Sequence, residues 1–223
     1  MNLIDQGRTF ADRHDAGVEV GKLLEPKYKD RNALVLGIPR GGVVIAYEVA
    51  RLIHGELSLV ITKKLPHPLQ QELAIGAVAE DGSSFLTSLA RGVSRAAVHN
   101  ILRMQEQEIQ SRIERFRQGK SLPEMHNRIV IIADDGIATG STIVPAIKLC
   151  RKRNAAVVIV AAPVSGTRYV SEIDELADEV VIVEQPEDFL AVGQVYEDFH
   201  HMADQEVIAL MEKFSTPSDK SHS

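Results

Sequence analysis

Two adjacent carboxylates, Asp134 and Asp135, close an apolar run that begins at Ile129, and a turn of small and hydroxyl residues follows them: Gly136, Ile137, Ala138, Thr139, Gly140, Ser141 and Thr142. Apolar, helix-patterned sequence resumes at Ile143. Neighbouring acids at a strand tip repel one another unless something uses their charge. The turn ahead of a helix offers free backbone amides and the positive end of the helix dipole, which suit a phosphate dianion. Carboxylates accept hydrogen bonds from sugar hydroxyls, while the amides and the hydroxyls of Thr139, Ser141 and Thr142 hold a phosphate. A phosphorylated ribose is the ligand this pairing predicts. The competing reading is an ordinary strand-to-helix turn with an Asp-Gly step and a serine cap.

Two other phosphate motifs do not fit. A Walker loop ends in Gly-Lys-Ser/Thr, and no lysine stands between Asp134 and Thr142. A dinucleotide fingerprint needs G-x-G-x-x-G with an acid about 20 residues later, and this loop lacks that spacing. The run 129–142 instead resembles the ribose-phosphate motif of type I phosphoribosyltransferases, the enzymes that join phosphoribosyl pyrophosphate to a nitrogenous base. Upstream, the apolar segment 34–37 followed by Ile38, Pro39, Arg40, Gly41 and Gly42 is similar to the pyrophosphate-binding loop of that family, in the expected order. The stretch from Pro186, Glu187, Asp188 and Phe189 to Tyr196, Glu197, Asp198 and Phe199 further resembles a subgroup of predicted members. The likeness covers roughly residues 10–199.

The resemblance implies roles. Asp134 and Asp135 take the ribose hydroxyls, and a Mg²⁺ bridging ribose and pyrophosphate oxygens is implied. Magnesium keeps several waters, so the two carboxylates reach it directly or through water. Gly136, Ile137, Ala138, Thr139, Gly140, Ser141 and Thr142 form the phosphate cradle. The reaction implied is displacement of pyrophosphate from C1 of the ribose by a base nitrogen, through a transition state with positive charge on the sugar. Leaving-group charge must then be stabilised. Arg40 with the amides of Gly41 and Gly42 is the candidate, because a guanidinium and glycine backbone approach a pyrophosphate closely. A surface arginine on a conventional glycine turn is the alternative. The family also implies an unusual peptide conformation in this loop.

Lys63 and Lys64 end a predicted strand, where alternation points them to opposite sides. Lys63 is assigned to the pyrophosphate, with two solvated lysines as the alternative. Tyr196, with Phe189 and Phe199, is the candidate for stacking on a planar base, and core packing competes with that role. His67, His99, His126, His200 and His201 lack the paired carboxylate and spacing of a metal site or triad and receive none. Two positions depart from the family. Ala138 stands where hypoxanthine-guanine members carry an acid, which disfavours a 6-oxopurine acceptor. Alanine there also occurs in adenine and orotate members, so activity is still expected. Gly136 replaces the usual valine. The alternative function is a non-catalytic module that binds phosphoribosyl pyrophosphate for regulation.

The elements that must position these residues follow from composition and pattern. With 223 residues, 44% hydrophobic and 25% charged, the chain has the balance of a globular domain that buries a sizeable core. Its net charge of -6 argues against nucleic-acid or anionic-membrane binding as the main activity. One cysteine, Cys150, excludes a disulfide framework and reads as a core thiol. No export signal or run of 18 or more apolar residues is found, so no membrane insertion is predicted and a reducing cytoplasm fits.

Residues 33–38, 57–62, 129–133, 155–162 and 179–183 read as nearly continuous apolar strands, the pattern of strands covered on both faces. Helix patterns at 43–53, 143–153 and 171–176 alternate with them. That order predicts an α/β fold with a mainly parallel sheet flanked by helices on both faces. Ligands of such sheets gather at the carboxyl ends of the strands, where Arg40, Lys63 and Asp134 are expected to emerge. One domain over 1–214 is expected, with a tail of disordered composition at 215–223. An insert at 65–123 breaks the alternation with a short hairpin at 73–78 and 85–87 and an amphipathic helix at 99–118. The family's mobile loop falls in this insert, at 66–72 or near Asp81, and a structural insertion or dimer contact is the alternative. Amphipathic helices at 10–24 and 204–214 flank the whole. A homodimer is implied only as the family's common state.

Overall fold

The computed structural model describes residues 8–216. Helix α1 (Arg13–Tyr28) starts where the Asp12 carboxylate accepts from the Asp15 amide at 2.9 Å, three residues after its expected start, and carries Pro26 into its last turn. Then follow β1 (Leu34–Gly37), α2 (Gly42–Ile53) and β2 (Glu56–Leu59). The insert contributes β3 (Thr62–His67), β4 (Gln70–Ala79), β5 (Ser84–Leu86) and α3 (Arg95–Arg117). The remainder alternates: β6 (Ile129–Ala133), α4 (Ile143–Lys152), β7 (Val157–Val164), α5 (Glu172–Leu176), β8 (Glu179–Glu184) and α6 (Asp204–Ser215).

Five strands form a parallel sheet, as expected, and their order is β2-β1-β6-β7-β8. Alternate side chains serve opposite faces. Val35, Ile131 and Ile159 pack under α1 and α2, while Leu34, Leu36, Ile132 and Val160 pack under α4 and α5. Both faces are therefore apolar, which explains why these strands read as continuous hydrophobic runs.

Further boundaries differ from the sequence reading. The apolar run 57–62 is not one strand: β2 stops at Leu59, and Thr62 opens β3 in a separate antiparallel sheet, β3-β4-β5. Lys63 and Lys64 thus belong to the insert sheet and not to the tip of a main-sheet strand. Ser215, assigned to the tail, closes α6, and residues 217–223 lie outside the described residues.

A third core binds the insert to the rest: Leu65, Ile75 and Val78 meet Ile101, Ile109 and Phe116 of α3, Val43 and Val44 of α2, and Val207 of α6. At its edge Glu80 and Arg117 form an ion pair with both side chains under 10% exposed. Among the described residues no helix is long and apolar enough to cross a membrane.

Candidate functional site

Strand register brings the two sequence motifs together. β1 lies between β2 and β6, and Gly37 pairs with Ala133, so the loops leaving β1 and β6 start side by side. The order in which strands are added reverses here: the connection from β1 runs to one side, and that from β6 to the other. Such a switch point opens a crevice at the carboxyl edge. The Ile38 amide donates to the Ala133 carbonyl at 2.9 Å, and the Asp134 amide to the Ala161 carbonyl at 3.2 Å. Above this edge lies a cavity of about 750 Å³ lined by Arg40 and Gly41 on one side and by Asp134 to Gly140 and Thr142 on the other.

The twin acids are not equivalent. Burial, and next the neighbouring Asp135 charge, push the Asp134 carboxyl well above the usual aspartate range. Asp135 is held by the Arg13 guanidinium, whose Nε donates to Oδ2 at 2.8 Å. Arg13 also donates from Nη1 to the His200 carbonyl at 3.0 Å and lies 3.9 Å over the Phe199 ring. Gly41 packs against the same Asp135 oxygen, since a Cβ there would fall 1.9 Å from it. Only a residue without a side chain fits.

The loop after the acids is pinned at Ile137, whose amide donates to the Val164 carbonyl at 2.8 Å, and by Gly140, whose carbonyl accepts from the Ile143 amide at 3.0 Å. Gly140 has a φ of 72°, and a Cβ there would meet Ile173 at 2.4 Å. Among the described residues, no group accepts from the amides of Ala138, Thr139, Gly140 or Thr142. Thr142 precedes α4 without capping it through its side chain. These are the donors a phosphate requires. Ser141 is 4% exposed, outside the cavity lining, with its hydroxyl 3.2 Å from Thr139 Oγ1.

Arg40 follows a cis peptide bond between Pro39 and Arg40. Its Nη1 donates to the Met202 carbonyl at 2.5 Å and approaches His201 Nε2 at 3.0 Å, and its Nε lies 3.6 Å from Asp204. The arginine thus faces the cavity while tied to the segment that leads into α6. Gly42 begins α2 and does not reach the cavity. Lys63, Lys64 and Arg112 of α3 complete the cationic wall. Burial, with Arg112 and Arg40 adding to it against Glu108, lowers the Lys63 ammonium from its ordinary range. A polyanion would relieve that repulsion among like charges.

Tyr196 is misplaced for stacking. It is 7% exposed, it does not line the cavity, and its hydroxyl donates to the Asp135 carbonyl at 2.7 Å. Burial, with the Asp135 charge adding to it, raises its phenol. Phe199, packed against Tyr196 with ring centroids 5.0 Å apart, is the aromatic that reaches the cavity. Phe189 lies outside it, against Gly166. Residues given no part in the sequence reading also line the cavity: Arg13, Arg112, His200 and His201. Arg13 carried a readable signal, because it shares a helical face with Ala16, Val20 and Leu24, where a charge needs a buried partner.

The sequence matches the family profile described as the phosphoribosyl transferase domain over residues 10–200. It is 39% identical over 209 residues to proteins provisionally named phosphoribosyl transferases in two Mycobacterium tuberculosis strains, CDC 1551 / Oshkosh and H37Rv. The match takes in 92% of this chain and 47% of theirs, so the chain spans about half the length of these curated relatives. Among solved structures it is similar to the TT1426 protein of Thermus thermophilus, with a TM-score of 0.78 and 33% identity, covering 93% of this chain and 100% of that one.

Proposed function

The chain belongs to the phosphoribosyl transferase family, and from that premise we propose that it is a Mg²⁺-dependent phosphoribosyltransferase that moves ribose 5-phosphate from phosphoribosyl pyrophosphate to a nitrogenous base, releasing pyrophosphate. The observation that carries this reading is one shared cavity in which a twin-acid strand tip with open amides faces a glycine loop and a cationic wall. Asp134 and Asp135 accept from the ribose hydroxyls. The amides of Ala138, Thr139, Gly140 and Thr142 hold the 5-phosphate. Arg40 and Lys63 stabilise the charge that builds on the departing pyrophosphate, fixed in place before the bond breaks.

Magnesium is tested by the donor set. Among the described residues no group of three or more His, Cys, Asp and Glu could hold a metal ion, and Asp135 already gives one oxygen to Arg13. The described residues therefore build no cage of their own. Asp134 and Asp135 would hold a cation that arrives with the donor, directly or through its waters. When bound, it would supply positive charge to the pyrophosphate.

The acceptor enters beside Phe199 and Val192. No carboxylate stands at position 138 to take a proton from it, so a base that needs that help is disfavoured. The same alanine motivates the second reading, a regulatory module that binds the donor without turnover. Thermal unfolding with millimolar phosphoribosyl pyrophosphate and Mg²⁺ tests both. A wild-type protein that gains no stability loses both readings. Pyrophosphate release across a panel of bases, abolished in Asp134→Asn, separates the enzyme from the sensor. A cytoplasmic setting is part of this proposal, in keeping with one buried, unpaired cysteine.

A further inference from the structure

We propose that Arg13 is a positioning residue for the donor site, fixing the Asp135 carboxylate in the orientation the ribose hydroxyls require while touching no reacting atom. The inference rests on the donor reading above. Its basis is geometric. Arg13 comes from the first helix, 122 positions from Asp135, and its side chain is 9% exposed. Burying a guanidinium is costly, and an apolar residue of similar volume commonly serves stability as well or better. Here the group has three contacts: Nε to Asp135, Nη1 to the His200 carbonyl, and the guanidinium carbon 3.9 Å over the Phe199 ring. Gly41 crowds the same oxygen from beside the guanidinium: a Cβ there would fall 1.9 Å from Oδ2 and 2.7 Å from Arg13 Nε. Asp135 is thereby left little freedom to turn. Lysine could supply the charge and not the two directed bonds together with the contact over the ring.

The test compares wild type, Arg13→Gln and Arg13→Lys in the presence of Mg²⁺ by titration calorimetry with three probes: phosphoribosyl pyrophosphate, ribose 5-phosphate and inorganic pyrophosphate. Both variants are expected to lose roughly 10- to 100-fold in affinity for the two ribose-bearing probes, as small misplacements of positioned groups do, with pyrophosphate binding unchanged. A purely structural role would weaken all three alike, and that outcome overturns the proposal. So does ribose 5-phosphate binding equal to wild type. Should Arg13→Gln not fold, Arg13→Lys, which keeps the charge opposite Asp135, carries the comparison. A wild-type protein that binds none of the probes refutes the donor reading itself. A wild type that binds them, beside variants that bind equally, refutes only the role of Arg13.

Discussion

The α-carbon of Gly41 lies against the carboxylate of Asp135, so closely that a methyl group built on it would sit 1.9 Å from Oδ2. The pyrophosphate loop and the ribose acids thus share a contact that glycine alone permits. Gly41→Ala must push Asp135 aside or move the loop. Overpacking of this kind costs about 1–3 kcal/mol, which is roughly 5- to 150-fold in affinity where it falls on the bound state. Calorimetric affinity for phosphoribosyl pyrophosphate with Mg²⁺ measures it, and an alanine variant that binds like wild type would contradict the proposed site.

Asp134→Asn and Asp135→Asn are expected to abolish donor binding while moving stability in opposite directions. Asp134 has its pKa raised in the folded protein above 3.8, mainly by burial and then by Asp135. Its proton therefore favours the native state: that contribution is complete below 3.8 and is lost as pH rises through the folded value. Asparagine escapes the loss. Urea unfolding should find Asp134→Asn gaining on wild type as pH rises through that window. A gain that shrinks with rising pH would contradict this.

Asp135→Asn leaves the buried Arg13 guanidinium without its carboxylate. Removing one member of a buried pair costs about 3–5 kcal/mol, and the low end applies because Asp135 keeps 18% exposure. The same urea titrations measure it at neutral pH. A variant as stable as wild type would show that Arg13 does not depend on this partner.

The Glu80–Arg117 pair joins the insert sheet to α3, and Arg117 Nε and Nη1 have no hydrogen-bond partner among the described residues. Burial outweighs the attraction of Arg117 and raises the Glu80 carboxyl. Glu80→Ala should therefore be severe, about 3–5 kcal/mol, because it strands a buried guanidinium. The double change Glu80→Leu with Arg117→Met should recover most of that loss. If the single and double variants prove equally unstable in denaturant titrations, the pair is not the cause.

Cys150 has no exposed surface, and burial pushes its thiol up to about 12. The thiolate is the reactive form. Iodoacetamide near neutral pH should label the native protein only as fast as it unfolds, so that added denaturant accelerates labelling. Rapid modification of the folded protein would place this thiol elsewhere.

The sequence by itself determined the chemistry of each loop. The strand Ile129–Ala133 was legible to the residue, because an apolar run buried on both faces stops where charge begins. The twin acids, the glycine bend after β1 and the starts of α4 and α6 were legible for the same local reason. Tertiary structure decided the rest. The run 57–62 reads as one strand because periodicity does not mark a corner between two sheets, so the lysines were assigned to the wrong sheet. Tyr196 and Phe199 are both aromatic in the sequence, and only packing determines that the first is buried and the second reaches the cavity. Arg13 acquires its meaning from Asp135, far along the chain, through the pairing of Gly37 with Ala133 that seats the two loops together. Spacing along a chain encodes neighbours within a turn or a strand. Which charges are buried against each other is decided by strand order and register, which the local pattern does not carry.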